Sequence, residues 1–285
     1  LFLLVLGNAL AMGSDVAVKL IDPGFPLFQF VLMRAIATLL LLLPFVATFD
    51  RKTLFRGLGL HSLRAHISLA GICCMVVALQ TLPLATANAL FYTAPLLVVL
   101  LSVIFFRERM TLLSALAVIS GFAGTLVILR PVEISWGGLA ALGAAASLAC
   151  NAVLVRKLPE GQSTLFVIAL TTALGLPAIG LLVWWEGAAW DWSLVVYALA
   201  SSALVLFYQL SVLLAYRHVA ANQVTSAEYT GLIWAVVIGW FGFGEVPDLW
   251  SWTGSLMIVA PLLLLAWQHR RRLQATTQGL DNPDL

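Results

Sequence analysis

Within SAEYTGLIWAVVIGWFGFGEVPD, residues 226–248, one carboxylate, Glu228, precedes more than a dozen residues that carry no charge. If the run crosses a bilayer, Glu228 lies about seven residues inside its helix, roughly 10 Å deep. A carboxylate at a helix centre costs on the order of 2.5–3.5 kcal/mol, less off-centre, and protonation removes most of that cost. Such an acid can hold a substrate ammonium group or carry an exchangeable proton. It can equally be a hydrogen-bonded acid that orients neighbouring helices. Asp15 stands one turn before Lys19, and Arg34 lies at comparable depth in the next apolar run. An Asp15–Arg34 or Asp15–Lys19 pair would lower the insertion penalty of both partners, as a structural or gating ion pair rather than a substrate contact.

Further polar and aromatic groups follow the same logic. Asn88 and Tyr92 are four residues apart and share a helix face, with Phe91 and Pro95 beside them. Thr225, Glu228 and Tyr229 make a comparable face, and Asn151 and the pair Tyr208-Gln209 stand behind these. Such faces suit a central binding site. They also suit interhelical hydrogen bonds in a dry interface, worth roughly 0.6–2 kcal/mol each. Enzyme chemistry finds no catalytic constellation: His61, His66, His218 and His269 fall near the ends of apolar runs, away from any nucleophile and acid at one depth. Cys73, Cys74 and Cys150 lie within apolar runs without metal-ligand spacing and read as small apolar residues. The Gly/Ala/Ser-rich run 137–149 lacks the lysine and hydroxyl of a phosphate loop and reads as a close-packing face. No cofactor, metal or nucleic acid is expected.

The elements that must carry these residues are membrane helices. The chain is 62% hydrophobic and 10% charged, with a mean hydropathy of +1.02, whereas soluble domains carry roughly 25% charged residues. Apolar runs at about 1–20, 27–48, 65–82, 84–106, 110–130, 135–156, 162–185, 193–216, 221–243 and 250–268 predict ten spans. Twelve of the fifteen Lys and Arg lie on one set of links: Arg51, Lys52, Arg56, Arg64, Arg107, Arg109, Arg156, Lys157, Arg217 and Arg270 to Arg272. The other links hold Lys19 and Arg130 with Asp22, Glu133, Glu186, Asp191, Glu245 and Asp248. The positive-inside rule therefore places both termini in the cytoplasm, and the net charge of +2 reflects topology rather than affinity for nucleic acid. Trp184, Trp185, Trp190, Trp192, Trp250 and Trp252 read as interfacial anchors. The chain opens at Leu1 inside an apolar run, so a short N-terminal tail is expected before it.

An internal repeat is visible at a displacement of 137 residues. Tyr92-Thr93 falls on Tyr229-Thr230, Glu108 on Glu245, Leu112 on Leu249 and Ser114 on Ser251; at 136, Gly7 falls on Gly143, Ala9 on Ala145 and Asp15 on Asn151. Each half then holds five spans, an odd number, so the second half enters the membrane upside down. Inverted repeats of this kind belong to transporters, with the site at the midplane between the halves. The expected organisation is 1–130 for the first repeat, 131–270 for the second and 271–285 for a cytoplasmic tail.

The order and spacing of several segments resemble the drug/metabolite transporter superfamily, in its ten-helix EamA branch. They are MGSDVAVKL (12–20), Arg34 in LMRAIATLLLLLP, HSLRAHISLAG (61–71), LPLATANALFYTAPLLVVLLSVIFFRERM (82–110), GFAGTLVILRP (121–131) and EYTGLIWAVVIGWFGFGEVPD (228–248). The resemblance covers essentially the whole chain. It implies an all-α membrane protein of two inverted five-helix repeats around a central cavity. That cavity is lined mainly by the first, third, fourth, sixth, eighth and ninth helices, with the fifth and tenth outside. Gly231 stands where many members have Pro nearby. The implied function is export of amino acids, metabolites or drugs from a bacterial inner membrane by alternating access, with the YddG group of aromatic amino acid exporters among the groups it resembles. The expected partners are a small-molecule substrate and lipid, with protons as a coupling ion, acting on a monomer. A multidrug or cationic-compound exporter of the same fold is the alternative, ahead of a channel, receptor or enzyme.

Overall fold

The computed structural model describes residues 2–49, 56–107, 111–129, 135–159, 161–218 and 230–280. Among these residues the secondary structure is helical, with no strand. The helices are α1 (Phe2–Lys19), α2 (Leu27–Leu42), α3 (Leu58–Thr81), α4 (Leu84–Phe91), α5 (Ala94–Phe106), α6 (Leu112–Leu129), α7 (Trp136–Val155), α8 (Thr164–Glu186), α9 (Leu194–His218), α10 (Thr230–Phe243) and α11 (Leu249–Leu280). A 3-10 turn, Leu43–Thr48, extends α2. Seven stretches among the described residues are long and apolar enough to cross a membrane, one of them α4 and α5 together. Thr230–Phe243 and Leu249–Leu265 are shorter apolar helices. The arrangement fits ten passes and makes this a multi-pass membrane protein.

Two boundaries differ from the sequence expectation. The third span begins at Leu58 rather than near 65, because Gly57, at φ +72°, turns the chain into α3. The fourth span is not one helix. It breaks after Phe91 and restarts at Ala94. Pro95 has no N–H to donate to the preceding turn, so the helical ladder is interrupted beside it. Thr93 bridges the break by accepting from the backbone N–H groups of Leu96 and Leu97, both at 3.1 Å.

Caps follow local chemistry. Ser135 and Ser163 accept from Gly138 N and Phe166 N at the starts of α7 and α8. The first turn of α2 is capped from afar: Glu186 accepts from Phe28 N at 3.0 Å and Gln29 N at 3.2 Å. A carboxylate there meets both the orphan N–H groups and the positive end of the helix dipole.

The helices pair across the chain: α1 packs on α9, α3 on α7, α2 on α8, α4 on α10 and α6 on α11. Small residues permit the closest approaches, as expected where lipid removes the hydrophobic drive between helices. Gly71 of α3 lies directly against Ser147 of α7. A Cβ on Gly124 of α6 would stand 2.6 Å from the carbonyl oxygen of Gly254 on α11, and one on Gly254 would stand 2.5 Å from that of Gly124. Leu112, Leu181, Trp184, Phe241 and Leu249 are exposed; this outer surface is hydrocarbon, suited to lipid. The interior is not all apolar: Asn8, Ser14, Asp15, Asn88, Thr125 and Ser201 are buried.

Candidate functional site

A cavity of about 610 Å³ lies between α1, α2, α3, α7, α9 and α10 and the break between α4 and α5. It gathers most of the residues singled out in the sequence. Asn88, Phe91, Tyr92, Asn151 and Tyr208 line it, as do Asp15 and Arg34. Thr225, Glu228 and Tyr229 lie outside the described residues. The lining helices match those implied by the resemblance, with Arg34 of the second span added. The pair α6 and α11 corresponds to the fifth and tenth spans.

The charges stand on different walls. On one, Asp15 of α1 is 9% exposed and its Oδ2 accepts from Asn88 Nδ2 at 3.1 Å. The same amide nitrogen donates to Leu84 O at 3.1 Å, which fixes the Asn88 side chain on its own helix. On α2, Arg34 lines the cavity with Nη1 buried and without a hydrogen-bond partner. Phe91, Tyr92 and Tyr208 add aromatic surface. Asn151 donates to Ser147 O at 3.1 Å, and its Oδ1 has no partner. The site thus offers an acidic acceptor on one side, a cationic donor on another and aromatic faces on the lining. Gly231 explains how α10 reaches this site: a Cβ there would stand 2.6 Å from the hydroxyl of Tyr92.

Neither ion pair expected for Asp15 forms as a direct contact among the described residues, although Asp15 and Arg34 feel each other's charge. Lys19 bonds instead to Glu245, at 2.8 Å, which is the ion pair present among the described residues. Asp15 is answered by the Asn88 amide, and Arg34 faces the same cavity without an acid in ion-pair contact. Geometry decides this. Lys19 ends α1 and reaches across to donate to Leu82 O at 2.6 Å and Leu79 O at 3.3 Å, with its ammonium 5.6 Å from the Phe243 ring centroid. Glu245 also accepts from Leu84 N at 2.6 Å. The cluster ties the ends of α1, α3, α4 and α10 together at the end of the bundle that carries the acidic links. Gln80 adds to it by donating to Val18 O and Ile21 O. Sequence reasoning named Lys19 but chose its helical neighbour as partner. The signal in the sequence is that Lys19 is nearly alone among the acids on its set of links, Glu245 among them.

Comparison with known proteins agrees with this geometry. Residues 1–130 and 135–267 match the EamA-like transporter family. The chain belongs to that family, and so to the drug/metabolite transporter superfamily. It is 26% identical over 279 residues to an S-adenosylmethionine uptake transporter of Rickettsia conorii (strain ATCC VR-613 / Malish 7), covering 95% of this chain and 93% of that protein. A riboflavin transporter of Vibrio cholerae serotype O1 (strain ATCC 39315 / El Tor Inaba N16961) is 27% identical over 282 residues, covering 95% and 94%. The pseudopaline exporter CntI of Pseudomonas aeruginosa (strain UCBPP-PA14) is 25% identical over 222 residues, covering 74% and 76%. A solved crystal structure shares the fold at a TM-score of 0.57 and 17% identity, over 95% of this chain and 96% of its own.

Proposed function

We propose that this protein is a secondary transporter of a bacterial inner membrane that exports zwitterionic small metabolites, amino acids of aromatic or broad range first among them, by alternating access. One observation carries the substrate class: Asp15 with Asn88 on one wall of the cavity and an unpartnered Arg34 nitrogen on another. An ammonium group matches the first and a carboxylate the second, while Phe91, Tyr92 and Tyr208 suit an apolar or aromatic side chain. Glu228, near the start of the ninth span, and Asp15 are the candidates for proton coupling.

Alternating access rests on the inverted repeat, with halves 1–130 and 131–270 and a tail 271–285. Support comes from contacts that exchange under the repeat displacement. Lys19 and Phe243 form one cation–π pair; Arg156 and Phe106, at 4.3 Å, form another. Lys19 and Arg156 are 137 residues apart, and so are Phe106 and Phe243. Gly7 packs on Ser211 and Gly143 on Cys74, again repeat mates. The helix pairs follow suit, since α1 on α9 becomes α7 on α3. In this reading Lys19–Phe243–Glu245 is an outer latch. Arg156 and Phe106 make its inner counterpart; Glu108, which the repeat displacement matches to Glu245, lies outside the described residues.

Export is proposed from the resemblance to amino acid exporters, since relatives in the family include both uptake transporters and an exporter, and the cytoplasmic placement of both termini is proposed from the basic links. A second reading, export of cationic compounds, draws on Asp15 and the aromatic lining but leaves Arg34 without a task. Purified protein in liposomes separates the two. Radiolabelled phenylalanine should enter protein-containing vesicles faster than protein-free ones, with a pH gradient revealing any proton coupling. Transport of an organic cation without transport of any amino acid would establish the second reading instead.

A further inference from the structure

Beside the central cavity lies a second chamber of about 280 Å³, between α2, α3, α8 and α9. The two adjoin, sharing Arg34, Ser68 and Gln209 in their linings. The chamber is largely apolar, yet two arginines line it, Arg34 and Arg64, with no Asp or Glu among its lining residues. Arg64 is 8% exposed. Its Nε and Nη1 are buried without hydrogen-bond partners, as are Arg34 Nη1 and the hydroxyl of Thr171, on the facing helix α8. A guanidinium cannot shed its charge, and burying one unpaired costs several kcal/mol. Asp15 lines the central cavity and not this chamber, and no acid among the described residues stands in ion-pair contact with Arg64.

We propose that this chamber is an anion subsite that takes a carboxylate, with Arg64 and Thr171 as its ligands. Arg34, common to both spaces, passes the carboxylate on to the central site. The planar guanidinium fork matches a carboxylate in bidentate fashion, and Arg64 stands six residues into α3, on the side of the basic links. A cargo from that side meets Arg64 first and Arg34 second. The proposal rests on the transport reading for the identity of the cargo, though not for the binding of the anion.

The test needs no transport. The wild type, Arg64→Gln, Arg64→Lys and Thr171→Val are placed in nanodiscs, and melting is followed with 3-phenylpropanoate, the neutral 3-phenylpropanamide, chloride or phosphate at matched ionic strength. The carboxylate should raise the wild-type Tm and the amide should not. Arg64→Gln should weaken the apparent affinity by roughly ten- to hundredfold, with Arg64→Lys between, as a charge without the fork. Ligand-free Arg64→Gln should melt no lower than wild type, because no protein partner is lost. A lower ligand-free Tm would mark a structural pair and overturn the subsite, as would an undiminished carboxylate response in Arg64→Gln or an equal response to the amide. Chloride or phosphate acting as strongly as the carboxylate would make the occupant a free inorganic anion and overturn its assignment to the cargo. None of these failures touches the Asp15 wall, whereas a transporter indifferent to the substrate's ammonium group would remove the zwitterion reading and leave the anion response in place.

Discussion

At the scale of single residues, partner choice is set by reach across helices rather than by spacing along one. Asp15 and Lys19 are one turn apart, yet Asp15 turns to Asn88 and Lys19 to Glu245. That Asp15, Arg34, Asn88 and Tyr92 would face an interior was legible, because polar groups inside apolar spans are costly unless they line a cavity or find a partner. Which partner each finds was not, since spacing along the sequence carries no information about which spans face each other. Lys19 and Glu245 leave 13% and 18% of their side chains exposed, so the pair is mostly desolvated. Lys19→Met strands a carboxylate and should cost roughly 3 kcal/mol. Glu245→Gln should cost less, because the amide still accepts from Leu84 N. The double variant should recover part of the loss, giving a coupling energy of about 1–3 kcal/mol in a thermal or denaturant double-mutant cycle. Asp15→Asn and Arg34→Gln, by contrast, have no direct contact to lose and interact through charge alone, so their coupling should be smaller than that of Lys19 with Glu245; coupling as large would restore the direct pair that the structure lacks.

At the scale of elements, the apolar runs gave the helices and their approximate ends, whereas breaks and contacts depend on single residues. The interruption at Tyr92–Thr93 sits beside Pro95, a visible signal in the fourth span, and it brings Phe91 and Tyr92 to the cavity. The contact of α6 with α11 was not readable, because a glycine in an apolar helix is common and only the partner backbone gives it a purpose. Gly254 has that purpose: its Cα meets the carbonyl of Gly124 with no room for a Cβ. A backbone atom cannot step aside as a side chain can. Gly254→Val should therefore destabilise by about 1–3 kcal/mol, seen as a lower Tm and lower folded yield, while the substrate preference of the surviving protein stays as in the wild type, since neither glycine lines the cavity. A change in preference at unchanged stability would place α11 in the site instead.

At the scale of the whole molecule, hydropathy made the spans legible, and the structure fits the ten expected; the central cavity was an implication of the family resemblance, and the cargo is the least legible part. Relatives about a quarter identical to this chain carry names as different as S-adenosylmethionine uptake and pseudopaline export. Hydropathy alone therefore does not resolve the cargo. If the basic links are cytoplasmic as proposed, cysteines placed at Glu186 and Pro247 should label with an impermeant thiol reagent on intact cells while one at Arg156 should not; the opposite pattern would invert the map and exchange the two proposed latches. The cargo reading turns on whether the cavity senses both charges of one molecule. Initial rates of phenylalanine, phenethylamine and 3-phenylpropanoate uptake into liposomes, for the wild type and Asp15→Asn at equal folded yield, measure this directly. The wild type should prefer phenylalanine to either single-charge analogue, and Asp15→Asn should lose roughly ten- to hundredfold on phenylalanine while its rate for 3-phenylpropanoate holds or rises. Wild-type rates and an unchanged order of preference in Asp15→Asn would contradict a site that reads the substrate's ammonium group through Asp15.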